Sequence, residues 1–284
     1  MSSAGQHLAT RRAAGLFDFS FMSLYEFSGP DILQGLQTRD LRGMERGRIA
    51  YTLLLGPDGA VLIDATVWRL DERRFWLFTG KRVPAGGQDR SGEHAILALQ
   101  GPASGAILAR LIGEVAVRSL RYFRFIEKDA MLIGRLGFSG ELGYELLVPA
   151  SRGHELRQRL LGEGVPECGW EAADSLRIES GYVLFDREID GRANPLELGL
   201  DRFVEPRRDF PAGRKLVGLE ILEGRFSDDL PIAVATSECR SPTLGKSIAL
   251  AYAHPGSAEP GTVVRLSDGR SGRVVSLPFY AKRR

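Results

Sequence analysis

The spacing of apolar and polar positions divides the chain into a strand-rich first part, a middle that mixes helix and strand, and a strand-only end. Residues 17–27 alternate loosely and stop at the turn Ser28-Gly29-Pro30-Asp31, where Asp31 is expected to cap a helix over 32–37. A hairpin follows, with strands over 49–55 and 60–68 joined by Gly56-Pro57-Asp58-Gly59. Proline presets φ, and the Asp-Gly pair tolerates positive φ, so this turn is strongly specified. Residues 74–79 alternate Phe75 and Leu77 against Trp76 and Phe78, a third strand. Three strands with short connections read as an antiparallel sheet.

Further along, 81–93 is polar and glycine-rich, a loop. A short buried strand is predicted over 94–99 and a helix over 102–111. A second hairpin is expected over 131–148, turning at Ser139-Gly140-Glu141, and helices over 153–162 and 172–181. From about residue 209 the texture changes to glycine, proline and short strands (232–235, 248–253, 262–266, 272–275) with little helix. This predicts two parts, residues 1–208 as an α/β region and 209–284 as a small all-β module, joined near Pro206-Arg207-Arg208-Asp209. No internal repeat occurs.

Composition narrows the classes. The 284 residues are 43% hydrophobic and 26% charged, ordinary for a globular protein. Thirty-four glycines and 14 prolines argue against a helical bundle or coiled coil, without reaching the level of a disordered chain. The net charge of +2 lacks the basic excess of a dedicated nucleic-acid binder. Of 38 bases, 33 are arginine, which an arginine-favouring genome explains. Cys168 and Cys239 cannot build a disulfide framework or a four-thiolate zinc site, and a reducing cytoplasm is the simplest location. No stretch approaches 18 apolar residues, and the first residues lack the apolar core of a signal peptide, so no membrane partner is expected.

Two carboxylates carry candidate chemistry. Asp64 lies in AVLIDATVW, where its neighbours are apolar; a carboxylate there is paired, protonated or costly. It reads as a general base or a charge that stabilises a cationic intermediate, or more plainly as a strand residue on the solvent side. Glu145 lies in GFSGELGYELLV, directly after a glycine-rich hairpin and before Leu146, Leu147 and Val148. It suits recognition of paired N–H donors, as on a pterin or guanidine-like ring, or else forms a strand-end salt bridge. Glu141, nearby, is expected to be exposed. Asp174 and Arg177, three apart on a helix, can form a structural ion pair. Trp76 and Phe78 share one side of their strand, as core or as the wall of a cofactor pocket. The four histidines have no metal-ligand spacing, and Gly245-Lys246-Ser247 lacks the upstream glycine of a phosphate loop.

Taken in order, GLFDFSFMSLYEFSGPD, YTLLLGPDGAVLIDATVW, LALQGP, GFSGELGYEL, DSLRIESGY, NPLELGL and SPTLGKSIAL resemble the folate-dependent aminomethyltransferase family of glycine-cleavage T-proteins. GELGYE and A-x-S-L-R-x-E are similar to the folate domain of dimethylglycine and sarcosine dehydrogenases. The resemblance implies an α+β fold of three subdomains in a clover-leaf with a C-terminal β-barrel. It also implies tetrahydrofolate as cofactor, and one-carbon transfer from a small methylated donor in the manner of a demethylase. By position it implies Asp64 as the catalytic carboxylate and Glu145 as the pterin anchor. Tyr51, Trp76, Phe78, Phe138, Asp174 and Arg177 become further cofactor-binding positions. It leaves room for a flavoprotein or carrier-protein partner.

The chain departs from the family in several places. Ala173 stands where an arginine usually precedes the aspartate, Phe138 replaces a tyrosine, and Phe21 replaces a common histidine. Helices expected within 80–93 and near 209–217 are cut down. These departures keep a second reading open: a non-catalytic folate-binding or regulatory subunit of a multi-component amine-oxidising system.

Overall fold

The computed structural model describes residues 1–224, 227 and 229–281. The chain divides into two compact units, one of residues 1–54 and 64–173, the other of residues 55–63 and 174–284. The strands of the first part are β1 (Gly15–Asp18), β2 (Ser23–Ser28), β3 (Ile49–Leu55), β4 (Val61–Arg69), β5 (Arg74–Thr79) and β6 (Gln88–Asp89), then β7 (His94–Gln100), β8 (Phe125–Lys128), β9 (Met131–Gly134) and β10 (Gly143–Pro149). They form two five-stranded sheets, in the orders β1-β7-β10-β9-β8 and β3-β4-β5-β2-β6. The helices are α1 (Ser3–Arg12), α2 (Asp31–Leu36), α3 (Ser104–Ile112), α4 (Glu114–Ser119), α5 (Gly153–Gly162) and α6 (Trp170–Glu179).

Helices α3, α4 and α5 cover one face of the first sheet. Leu97 and Leu99 of β7 and Tyr144, Leu146 and Val148 of β10 join Ile107, Leu108, Val117, Leu156 and Leu160 in one apolar core. Strict alternation on β10 therefore sends Glu145 and Leu147 to the opposite face. A slip of one residue would bury the carboxylate among leucines, so this apolar core fixes the register on which the site depends.

The second unit contains a closed barrel of β11 (Lys215–Leu222), β12 (Ile232–Arg240), β13 (Ser247–Ala253), β14 (Val263–Leu266) and β15 (Ser271–Val275). Small and branched side chains fill it: Ala233, Ala249 and Ala251 with Val217, Leu219, Val264 and Val274. Closure removes the exposed edges that five short strands would otherwise present.

Several expectations are corrected. Residues 17–27 form two strands, β1 and β2, instead of one. Asp31 is the first residue of its helix and makes no cap; Pro30 occupies the cap position with no side-chain hydrogen bond. The alternation of β5 does not separate core from solvent, because Phe75, Trp76, Leu77 and Phe78 are all buried; material covers both faces of this strand. Sequence reading overlooked α1, because its inward positions His7, Thr10 and Arg11 are polar and hide the helical period. It also overlooked β11, which Gly218 interrupts.

Candidate functional site

Glu145 sits between two minimal neighbours, Ala98 across β7 and Gly134 across β9. Gly134 is glycine for lack of room: a Cβ there would lie 2.3 Å from Cη2 of Trp68. Since directly paired residues project to the same side, the Trp68 ring approaches the face that carries Glu145. The carboxylate has no hydrogen bond or ion pair among the described residues. Burial alone pushes it up to about 7.

Trp68 belongs to β4, on the same side of that strand as Thr66 and Asp64. Its ring stacks obliquely on Phe78, 5.3 Å between centroids, and on Phe125 at 5.1 Å, while its indole N–H donates to Thr66 Oγ1. Asp64 is half-buried. Tyr51 of β3 donates its hydroxyl to Asp64 Oδ2 at 3.1 Å. Burial pushes the Asp64 carboxyl up to about 6, and the Tyr51 hydrogen bond opposes the rise. Asp64 stands on the more open face of β4, with Leu62 and Thr66, and burial raises its carboxyl even there. The sheet faces that carry Asp64 and Glu145 thus meet at one tryptophan, and both carboxyls titrate near neutrality.

The glycine-rich turn before Glu145 is built on a single amide. A Cβ at Gly137 or Gly143 would lie within 1.9 to 2.5 Å of the Gln100 amide group. Ser139 Oγ donates to Gln100 Oε1 at 2.8 Å. LALQGP and GFSGELGYEL are therefore two halves of one local structure. Arg11 from α1 donates to the Ser139 carbonyl at 2.7 Å and pairs with Glu141 at 3.2 Å. Glu141, expected at the surface, has a side chain only 1% exposed. Phe138, half-buried, lies in this braced turn beside Ser139. Nothing local to Arg11 along the chain points to this role, because its partners Ser139 and Glu141 lie far away in sequence.

Trp76 is buried and shares its face with Phe78, at 6.1 Å and 74° between rings. Its indole N–H donates to Glu26 Oε2 at 2.7 Å, and its ring meets His94 edge-on at 5.0 Å. It lines a cavity of about 690 Å³ whose walls include neither Asp64 nor Glu145. Tyr51 therefore touches Asp64 and Phe78 packs on Trp68, whereas Trp76 borders a cavity that contains neither carboxylate.

Asp174 and Arg177 fall in the second unit. The Arg177 guanidinium, fully buried, gives Nε to Asp174 at 2.7 Å, Nη1 to Glu188 at 2.7 Å and Nη2 to Ser237 Oγ at 2.6 Å. Glu188 also accepts from Thr236, Ser237 and the Leu184 amide. Such a saturated network satisfies every buried charge in it. The ion pair read from the sequence is real, and Glu188 and Ser237 are the members it did not show.

A desolvated carboxyl with no donor of its own, framed by Ala98, Gly134 and an aromatic floor, fits a flat ring that brings N–H groups. A second carboxyl that burial raises to about 6, Asp64, lies on the strand face that also carries Trp68; groups shifted in this way are what an enzyme of mixed helix and strand uses to exchange protons with a small molecule. Comparisons with known proteins agree. Residues 2–208 match the GCVT N-terminal domain, and residues 214–281 the glycine cleavage T-protein C-terminal barrel domain. The aminomethyltransferase of Symbiobacterium thermophilum is 35% identical over 97% of this chain and 88% of its own. That of Bacillus subtilis is 31% identical over 98% and 90%. The crystal structure of glycine cleavage system aminomethyltransferase T from Bartonella henselae superposes with a TM-score of 0.83 at 27% identity, covering 99% of this chain and 90% of its own. The chain belongs to the glycine cleavage T-protein, or aminomethyltransferase, family.

Proposed function

We propose that the chain transfers a one-carbon unit from a small methylated or aminomethyl-bearing donor to tetrahydrofolate, with Asp64 as the catalytic carboxylate and Glu145 as the anchor of the pterin. It is an enzyme of the aminomethyltransferase class, to which we assign this donor and these residue roles. The observation that carries the reading is the pair of desolvated carboxyls on facing sheet surfaces, both shifted up to near neutrality.

Tetrahydrofolate supplies the nitrogens that accept the carbon. The Glu145 carboxylate would receive two N–H groups of the ring, exchanging the cost of its burial for two charge-assisted hydrogen bonds. Trp68 and Phe78 would close the apolar walls, and Tyr51 would border the ring beside Asp64. Holding acceptor and donor together can supply several kcal/mol, up to about 7 to 11. Asp64, titrating at about 6, holds a negative charge at pH 7 that stabilises a developing cation and takes up or returns its proton. Its hydrogen bond from Tyr51 to Oδ2 would hold the carboxylate in one orientation toward the substrate. Phe138 lines the same turn as an apolar surface. Within the second unit Arg177 holds Asp174 in place, so Arg177 is a positioning residue for that carboxylate. The donor would be offered from solution, by a carrier protein or by a flavoprotein partner.

A second reading is favoured by Ala173 and Phe138: a folate-binding or regulatory subunit that lacks turnover. Calorimetric titration of tetrahydrofolate into the wild type, Glu145→Ala and Asp64→Asn separates the two. The enzyme reading expects binding that Glu145→Ala abolishes and Asp64→Asn retains, with donor consumption reduced about 10²–10⁴-fold in Asp64→Asn. Binding with no donor consumed by the wild type supports the subunit. Absence of binding to the wild type sinks both.

A further inference from the structure

Between Asp64 and Trp68 on β4 stands Thr66, half-buried on the same strand face. Its direct partner across β5 is Phe78, which therefore projects to that face as well. Thr66 thus has a carboxyl on one side along the strand, an indole on the other and a phenyl ring beside it. The indole N–H of Trp68 donates to Thr66 Oγ1 at 3.1 Å. An indole is a donor only, so the threonine oxygen accepts and its own hydrogen must find another partner.

No such partner occurs among the described residues, where the indole contact is the one hydrogen bond of the Thr66 side chain. Asp64, two residues away, accepts from Tyr51 and from its own backbone, not from Thr66. The groups on offer to a ligand are therefore of two kinds. Asp64 and Glu145, when ionised, only accept; Thr66 can donate. A guanidine-like ring that brings donors alone would leave the threonine unmatched. A ring with N–H groups on one edge and a carbonyl oxygen or bare ring nitrogen on another answers both. Flanked by aromatic rings, such a donor is worth more than the same hydroxyl in water.

We propose that Thr66 is a further binding residue of this site, donating its hydroxyl hydrogen to an acceptor atom of the ring whose N–H groups Glu145 receives, and so selecting a ligand with both donor and acceptor edges. The inference rests on the reading of tetrahydrofolate as cofactor, and calorimetric titration of tetrahydrofolate tests the two separately. Thr66→Val keeps the branched shape without the hydroxyl and should weaken binding about tenfold. Thr66→Ser can still accept from the indole and donate to the ring, so its affinity should stay within about twofold of the wild type. Valine also strands the indole N–H, so the same substitution is made in Trp68→Phe, which has no such group. The loss of about tenfold should persist there. Trp68→Met serves where phenylalanine loosens the core, and matched thermal melts check every variant. An unchanged affinity in Thr66→Val, a loss that vanishes in the Trp68→Phe background, or a serine variant no better than valine would each overturn the role of Thr66, while tetrahydrofolate binding and its loss in Glu145→Ala stand. Absence of binding to the wild type overturns both the role and the reading beneath it.

Discussion

Replacing Glu145 with glutamine measures what it costs to keep a carboxylate where no donor meets it. Burial holds the wild-type carboxyl at about 7, against an ordinary value of 4.5. Each tenfold change in proton affinity is worth about 1.4 kcal/mol, so the ionised form costs the folded chain about 2–3 kcal/mol, allowing for its partly open surface. The folded state binds this proton more tightly than the unfolded state. Below pH 4.5 both states are protonated and the cost is absent. Between 4.5 and 7 the unfolded chain ionises first, and stability falls as pH rises; above 7 the full cost is present.

Glutamine does not ionise, so Glu145→Gln is expected to gain on the wild type by about 2–3 kcal/mol between pH 4.5 and 8. Burial of the amide adds an offset that is the same at every pH. Every other titrating group, Asp64 included, is common to both proteins and cancels in the difference. Urea denaturation of both at half-unit pH steps yields that difference directly. Saturating tetrahydrofolate should invert the order at pH 8, because donors from the ring stabilise the ionised carboxylate only in the wild type. Binding near pH 6 should then release a proton, seen as a calorimetric enthalpy that depends on the buffer's own ionisation heat. A stability difference that stays flat from pH 4.5 to 8 refutes the reasoning, since it means the carboxylate is solvated or paired.

Three further outcomes test the surroundings. Tyr51→Phe removes the hydrogen bond that opposes burial at Asp64, so the acid limb of kcat/KM should move above its position near pH 6. Arg11→Met removes the guanidinium that pairs with the buried Glu141 side chain, and should cost about 3–5 kcal/mol in urea denaturation at pH 7; Arg11→Met with Glu141→Gln should recover part of it. Gly134→Ala drives a methyl into Trp68 and should lower stability by about 1–3 kcal/mol in thermal melts while quenching or shifting tryptophan emission.

What the sequence disclosed and what it hid follow one rule. Strands joined by strong turns were legible to the residue: 49–55 and 74–79 match β3 and β5, because Pro-Asp-Gly and alternation act over a few positions. The helix over 153–162 matches α5 for the same reason. Glu141 was misplaced because its exposure depends on Arg11, 130 residues away. Trp76 was grouped with Phe78 because they share a strand face, yet which cavity that face borders is decided by β8, β9 and β10 packing against it.

The candidate site divides along the same line. The chemical oddity of Asp64, an acid among apolar neighbours, is a local fact, and it pointed to a carboxyl that burial does hold up to about 6. The meaning of Glu145 is not local. Its isolation comes from Ala98 and Gly134 on either side and from a tryptophan on another sheet, none of which spacing along β10 can report. A site assembled from small residues is invisible to a search for functional side chains, because what matters is the room they leave. Gly134 and Ala98 therefore shape the surroundings of Glu145 as much as a polar partner would: a methyl at Gly134 would displace the Trp68 ring from beside the carboxylate's strand without touching a single polar group.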